Sequence, residues 1–401
     1  MRIGIDARTI LNPEIGEAAG LGHYTYQLIR HLLKVDQDLN CGKNEYVLFF
    51  DNRVRRRDIQ KFSQKNVKIR HFPFSAHKKY LPGIYSELLI TGTLTKEKLD
   101  ILHSPGGEIP LIYRIPTVIT AHNLALFKYP ELFSKTERIM AKVMPRAPFK
   151  KAKIVIATSK AAKEDVVNFF KIDPKKIKVI YRGFDKRFFQ NARDENIQEV
   201  KNKYNIRGKY LLFMSTIKPS NNLTRLIEAF VQFKKLLKKK NAVQRGQSQH
   251  QSQSYQLVLA GKDGWLAKEI HQIAEDYNLK KDVVFTGYIP PEDLNPLFNG
   301  AELFIFPSLY EEFGTPVLEA MASGIPVIAS NVSSLPEITN GAAELVDPYN
   351  TEGLANKILE VISSKELQED LKRKGLERAK KFSWEKCARE TLKVYREAVK
   401  V

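Results

Sequence analysis

Cysteine is almost missing: Cys41 and Cys387 are the two thiols among 401 residues. Two thiols build neither a disulfide framework nor a four-ligand zinc site. No apolar run approaches the roughly 18 residues that a membrane-spanning helix needs. The opening stretch MRIGIDARTI reads as a charged strand and carries no apolar signal segment. A reducing cytoplasm is the expected setting. Acidic residues are scarce as well, with 45 Asp and Glu against 65 Lys and Arg, for a net charge of +20. That imbalance is local. Residues 1–183 hold 33 basic and 17 acidic side chains, and the remainder hold 32 and 28. The first half is therefore expected to meet something anionic: a membrane surface, a phosphorylated lipid or nucleic acid. The rest of the composition, 43% hydrophobic, is that of a globular chain long enough for two or three domains.

Short β-rich apolar runs alternate with longer helical patterns. The early strands are 2–6, 46–50, 67–72, 101–104, 117–121 and 154–159. The late ones are 210–215, 256–261, 283–287, 303–308 and 326–330. Amphipathic helices are expected over 23–34, 160–170, 223–239, 266–276, 292–299, 316–323 and 351–362, with a final one over 382–401. Such alternation argues for α/β architecture with doubly wound parallel sheets, and eleven strands are too many for one sheet. Two Rossmann-like domains are expected, 1–183 and 184–381, with 382–401 as a C-terminal helix crossing back to the first. Residues 241–253 run in Gln and Ser and are expected to form a mobile loop.

The densest signal is EEFGTPVLEAMASGIPVIAS, residues 311–330, directly after the buried strand LFIFPS. Pro316 suits a first helical position and Gly324 a helix end. Glu311 then lies in a strand-to-helix loop and Glu319 about one turn inside the helix. Phe313, Gly314 and Thr315 offer backbone N–H groups at a helix N-terminus, which welcomes a phosphate or sugar hydroxyls. Two carboxylates beside such a site fit a polyol, whose hydroxyls donate to them. Equally open at this point is a plain negatively charged helix start that favours the helix dipole.

This stretch resembles the paired-glutamate signature of retaining glycosyltransferases of family 4, which have the GT-B fold: two Rossmann-like domains facing each other across a cleft. Matching segments follow in order: IGIDAR at the start, ILHSP (101–105), ITAHNLALFKYPELFSK (119–135), ATSKAAKEDVV (157–167), KVIYRGFD (178–185), LVLAGKDGW (257–265), FTGYIPPEDL (285–294) and SNVSSLPEI (330–338). The likeness spans essentially the whole chain and is greatest to mannosyltransferase-like members. It implies that Glu319 holds the nucleotide's ribose hydroxyls and Glu311 the transferred sugar. Amides of Phe313, Gly314 and Thr315 then face the sugar or its diphosphate, and Ile289 lies near the nucleobase. It implies that His122, at the end of the strand TVITA, reaches the donor sugar from the first domain; without the resemblance, His122 is also simply a polar strand end. Asn123 stands where relatives often carry Asp, and His23 where Arg is frequent. Gly16, Gly20 and Gly22 let the backbone approach a diphosphate or form an ordinary loop. In MSTIKPSNNL (214–223), the expected basic clamp falls on Ser215 and Asn221, neither of which is charged. Lys218, and Arg182 near the domain boundary, are the candidates to replace it.

Asp36-Gln37-Asp38 spells D-x-D, but it ends a helix, so a solvated helix end is the expected reading and no catalytic metal or other cofactor is expected. Arg55, Arg56 and Arg57, with the basic and aromatic segment 68–89, read as a solvated face, as an acceptor or anionic-membrane site, or as an RNA site. The expected function is retaining, metal-independent transfer of a hexose, mannose among the candidates, from a nucleotide sugar to a glycan or lipid-linked acceptor. It is placed in the cytoplasm, peripheral at the inner membrane face. Two alternatives remain, a catalytically impaired scaffold and a nucleic-acid binder; charge alone speaks for the latter, and nucleic acid is not an expected partner.

Overall fold

The computed structural model describes residues 1–11, 20–40, 42–72, 85–143, 146–244 and 254–400. The chain divides into two compact units. The first comprises Met1–Lys128, Thr136–Gly183 and Phe382–Val401, and the second Tyr129–Lys135 and Phe184–Lys381.

In the first unit seven strands form one wholly parallel sheet, in the order β3-β2-β1-β4-β5-β6-β7. They are β1 (Arg2–Asp6), β2 (Glu45–Asp51), β3 (Val67–Phe72), β4 (Ile101–Ser104), β5 (Thr117–Thr120), β6 (Ile154–Ala157) and β7 (Ile177–Val179). A parallel sheet is covered on both faces, so its strands are near-continuous apolar runs. Tyr46 through Phe50 in β2 are all fully buried. The second unit holds six parallel strands in the order β10-β9-β8-β11-β12-β13. These are β8 (Lys209–Met214), β9 (Tyr255–Ala260), β10 (Val283–Gly287), β11 (Leu303–Phe306), β12 (Val327–Ser330) and β13 (Glu344–Val346). Each unit is the doubly wound α/β fold expected. The two strands absent from the expected set, β7 and β13, have three residues each, too few for a period to register.

Two helices are longer than their patterns suggest. The first runs Gly20–Asn40, because Leu32, Leu33 and Val35 bury in the core and continue its apolar face. Asp36 is not solvated, as expected for a helix end, but buried. Its carboxylate accepts hydrogen bonds from Asn44 Nδ2 at 2.5 Å and Asn44 N–H at 3.3 Å, tying the helix to the approach of β2. The other, Leu223–Gln244, takes in residues 241–244 of the expected loop, and 245–253 lie outside the described residues.

The final helix, Trp384–Lys400, follows the second unit in sequence and packs within the first. Trp384, Cys387, Ala388, Thr391, Leu392, Tyr395 and Ala398 line one buried face at helical spacing. It lies against the helix Gly20–Asn40, β4 and β5. Gly183 makes its close approach: a Cβ there would sit 2.1 Å from Trp384 N, against backbone that cannot yield.

An ion cluster ties β3 and β1 to the segment that precedes β4. Glu97, 6% exposed, accepts from Lys68 Nζ at 2.8 Å, Arg70 Nε at 2.5 Å and Arg2 Nη2 at 3.0 Å. Burial pushes its pKa up, but the three cationic donors outweigh burial and hold the carboxyl down at about 2. Glu97→Gln is expected to lower the unfolding free energy at pH 7 by about 2 kcal/mol in urea denaturation. The folded-state value lies below the ordinary 4.5, so this contribution is complete above about pH 4.5 and fades toward pH 2. The stabilities of the two proteins should therefore converge in acid.

Candidate active site

Open parallel sheets bind ligands beyond the carboxyl ends of their strands, where the strand order reverses. In the second unit that point falls between β8 and β11, so the loops 215–222 and 307–314 flank it. The two loops are tied together. Leu309 N–H donates to Ser220 O at 3.0 Å, and Asn222 Nδ2 donates to Pro307 O at 3.1 Å and Pro348 O at 2.6 Å. Ser215 N–H donates to Ala260 O, Ile217 N–H to Lys262 O and Gly261 N–H to Gly287 O, each at 3.0 Å. Backbone hydrogen bonds thus lace the carboxyl ends of β10, β9, β8 and β11 into one rim. Ile289, buried beside exposed Tyr288, continues it past β10.

Glu311 sits on this rim with its backbone gripped from a neighbouring loop. Its carbonyl accepts from Ser334 Oγ at 2.8 Å, from Ser334 N–H at 3.3 Å and from Ser333 Oγ. Its own N–H reaches Ser333 Oγ at 3.4 Å. Ser333 and Ser334 belong to a segment that the resemblance includes, yet residue type alone assigns them no role; only the loop after β12 brings them to Glu311. Phe313, 2% exposed, anchors the turn. Gly314 has φ +86°, and a Cβ on it would meet Leu335 Cδ2 at 2.7 Å, so both backbone and space call for glycine. The helix runs Thr315–Ala322 with Pro316 in its first turn and no acidic residue there. Glu311 precedes it by four residues and Glu319 lies in its second turn. Helix-dipole stabilisation acts within the first turn, so it does not account for the pair. Thr315 and Glu319 are four residues apart and share one helix face.

The loop after β8 has turned inward where a cationic clamp was expected. Asn221 is 1% exposed and its Nδ2 donates to Thr216 O at 2.5 Å. A lysine there would lose that bond and bury an ammonium group. Lys218 is half-buried in extended backbone just before the turn Pro219–Asn221. Another cation, which the motif reading passed over, is Arg225. Its Nη1 donates to Asn222 Oδ1 at 2.9 Å, and its guanidinium lies 5.1 Å from the Tyr349 ring centre. Arg182 belongs to the first unit, with its guanidinium over the rings of Tyr24 and Trp384 at 5.6 and 5.9 Å.

In the first unit the order reverses between β1 and β4. Two residues past the end of the neighbouring β5 lies His122, half-buried, its ring edge-on to Tyr24 at 4.8 Å and 67°. Asn123 follows with φ +60°, a left-handed conformation that Asn tolerates better than most residues. Gly20, φ +71°, and buried Gly22 open the helix Gly20–Asn40, and Gly16 lies outside the described residues. His23 meets Trp384 edge-on at 6.3 Å. After β2, Arg55 and Arg57 are exposed, and Arg57 Nε reaches Asp58 at 3.3 Å. Arg56 begins the short helical turn Arg56–Phe62, and its side chain lies outside the described residues, as do residues 73–84 of the basic and aromatic segment. Among the described residues, no three His, Cys, Asp or Glu side chains gather in a metal-holding group, and no helix is long and apolar enough to cross a membrane.

Two family models match the chain: Glycosyltransferase Family 4 over residues 18–188 and Glycosyl transferases group 1 over residues 194–378. The O-antigen chain mannosyltransferase B of Escherichia coli is 29% identical over 383 residues, covering 94% of this chain and 96% of that protein. A glycosyltransferase of Rickettsia africae ESF-5 has the same fold, with a TM-score of 0.71 at 19% identity over 100% of this chain and 98% of its own. So does HepE of Anabaena, solved in complex with UDP and glucose, with a TM-score of 0.69 at 18% identity over 99% of this chain and 100% of its own. Between them the two family matches take in every strand of both sheets except β1, and the chain belongs to glycosyltransferase family 4, a retaining class with the GT-B fold.

Proposed function

We propose that the chain moves a hexose, mannose in the first place, from a nucleotide-diphosphate sugar to a glycan or lipid-linked acceptor. The observation that carries this reading is the glutamate pair at the reversal point of the second sheet, with the Glu311 backbone clamped by Ser333 and Ser334. A clamped backbone holds a carboxylate at a set position, as a positioning catalyst needs. Mannose is favoured by the named activity of the E. coli relative, and a nucleoside diphosphate by the ligand of the Anabaena structure.

In this reading Glu319 accepts hydrogen bonds from ribose hydroxyls and Glu311 from hydroxyls beside the reacting carbon. Phe313, Gly314 and Thr315 turn N–H groups to the sugar or its diphosphate, and Ile289 gives the base an apolar wall. Lys218 supplies positive charge to the diphosphate, and Gly20 and Gly22 allow close backbone approach to it. His122 orients a hydroxyl of the donor sugar. The bond from the anomeric carbon to the diphosphate oxygen breaks, and the acceptor oxygen bonds to that carbon on the same face. The acceptor's proton leaves on the diphosphate. The chain's contribution is positioning and charge stabilisation.

One observation favours a second reading, an impaired scaffold that binds a sugar nucleotide without turning it over: Ser215 and Asn221 carry no charge, and the Asn221 amide is committed to Thr216. Release of nucleotide from a donor sugar separates the two. An anionic membrane is the proposed surface partner of the first unit. Leu88, Leu111 and Ile112, 60, 43 and 51% exposed, are joined through Glu87, which accepts from Leu111 N–H at 3.0 Å and Ile112 N–H at 3.1 Å. Apolar side chains beside a strongly basic half suit a charged lipid surface.

Glu319→Ala is expected to weaken GDP or UDP binding more than tenfold in calorimetry. Glu311→Ala should keep that affinity and lose about a hundredfold in turnover. Unchanged nucleotide affinity in the Glu319 variant would reject the assignment. Transfer is expected to persist in excess EDTA; loss of activity that returns with manganese or magnesium would reverse the metal-independent reading. Binding to phosphatidylglycerol vesicles should fall as salt shortens the Debye length below about 8 Å. It should also weaken when Arg55, Arg56 and Arg57 become Glu, in a sedimentation assay; equal binding at low salt would remove the membrane.

A further inference from the structure

Beside His122, four polar groups run in a line through the fully buried interior of the first unit. Tyr395 Oη, on the final helix, lies 2.6 Å from His103 Nδ1 on β4. His103 Nε2 lies 2.9 Å from Thr120 Oγ1 on β5, and Thr120 Oγ1 lies 3.4 Å from Tyr24 Oη on the helix Gly20–Asn40. Tyr24, His103, Thr120 and Tyr395 are all 0% exposed. The ring of Tyr24 then meets the ring of His122 edge-on at 4.8 Å.

Burial, with a smaller contribution from His122, pushes the His103 pKa down to about 3, so its imidazole is neutral and carries one ring proton. One nitrogen donates and the other accepts. Whichever nitrogen carries the proton, His103 can donate to one of the Tyr395 and Thr120 hydroxyls and accept from the other. The Thr120 and Tyr24 hydroxyls share one contact in which either can donate. Every member has a partner, and a satisfied buried network holds its parts in one arrangement. Apolar side chains would fill the same space without the cost of burying four polar groups. The network also joins elements far apart in the chain, since Tyr395 and His103 are 292 residues apart. Thr120, inside the line, lies two residues before His122 and ties down its strand, and Tyr24, at the end of the line, supplies the ring against which His122 packs.

We propose that Tyr24, held by Thr120, His103 and Tyr395, is a positioning residue for His122, and that docking of the final helix sets the orientation of that histidine. This rests on the reading that His122 acts on the donor sugar, and the experiment separates the two. Nucleotide release from GDP-mannose and from UDP-glucose is measured for the full chain, for His122→Ala, Tyr24→Leu and Tyr395→Phe, and for each of the last two combined with His122→Ala. Tyr24→Leu should lower kcat more than tenfold and Tyr395→Phe about threefold, with the donor KM changed less than twofold. Neither should cost anything further once His122 is alanine, because coupled positions are non-additive. Equal fold-losses in the presence and absence of His122 would make the tyrosines merely structural and overturn the proposal. Full turnover in His122→Ala, or no release by the wild-type chain, would overturn the reading of His122 or of the function instead. The positioning is then judged by NMR of the chain labelled at histidine Cε1. The His122 resonance should move in Tyr395→Phe, which keeps the ring and most of the volume and serves also if Tyr24→Leu does not fold. A resonance that stays in place overturns the proposal.

Discussion

A parallel sheet with both faces covered by helices leaves one place for chemistry: the loops beyond the carboxyl ends of its strands. Both units of this protein obey that constraint. In the second unit the order reverses between β8 and β11, and the loops after those strands are joined by Leu309 to Ser220 and Asn222 to Pro307. Glu311 and the helix start at Thr315 sit on that rim because the chain that leaves β11 has nowhere else to turn. Gly314 makes the turn possible, and Phe313 and Leu335 fill the space beneath it.

The rim is held mostly by backbone. Ser215, Ile217 and Gly261 donate to carbonyls of neighbouring loops, and Ser333 and Ser334 grip the Glu311 carbonyl. Such a framework holds the Glu311 backbone in place, which suits the proposed transfer by orientation. The departures from the family pattern fit the same frame. Asn221 serves the loop through Thr216, and Lys218 and Arg225 are cations of that loop and of the helix that follows it.

The first unit divides its charge by position. On β3 and β1, Lys68, Arg70 and Arg2 surround one buried glutamate. Beyond β2, Arg55 and Arg57 are exposed. Net charge alone does not tell these apart: the first group is tied to a buried carboxylate, and the second stands at the surface. The final helix closes this unit, and its Tyr395 reaches the polar line that ends at Tyr24 and His122.

Sequence by itself determined the fold class, the family and the order of the longer elements. Apolar runs of four or more residues and helical spacing are local properties, and the motif around Glu311 and Glu319 is contiguous. The three-residue strands β7 and β13 escaped because a period needs more residues than they have. The burial of Asp36 escaped because its partner Asn44 lies beyond the helix end. The positions of Glu311 before the helix and of Glu319 one turn inside it were legible from Pro316 and Gly324, but tertiary structure alone decided that Ser333 and Ser334 hold Glu311 and that Asn221 faces inward. It alone decided that Tyr395 and His103, 292 residues apart, share a hydrogen bond. These are contacts between segments distant in the chain, and nothing in the spacing of residues along one segment records which other segment will lie against it.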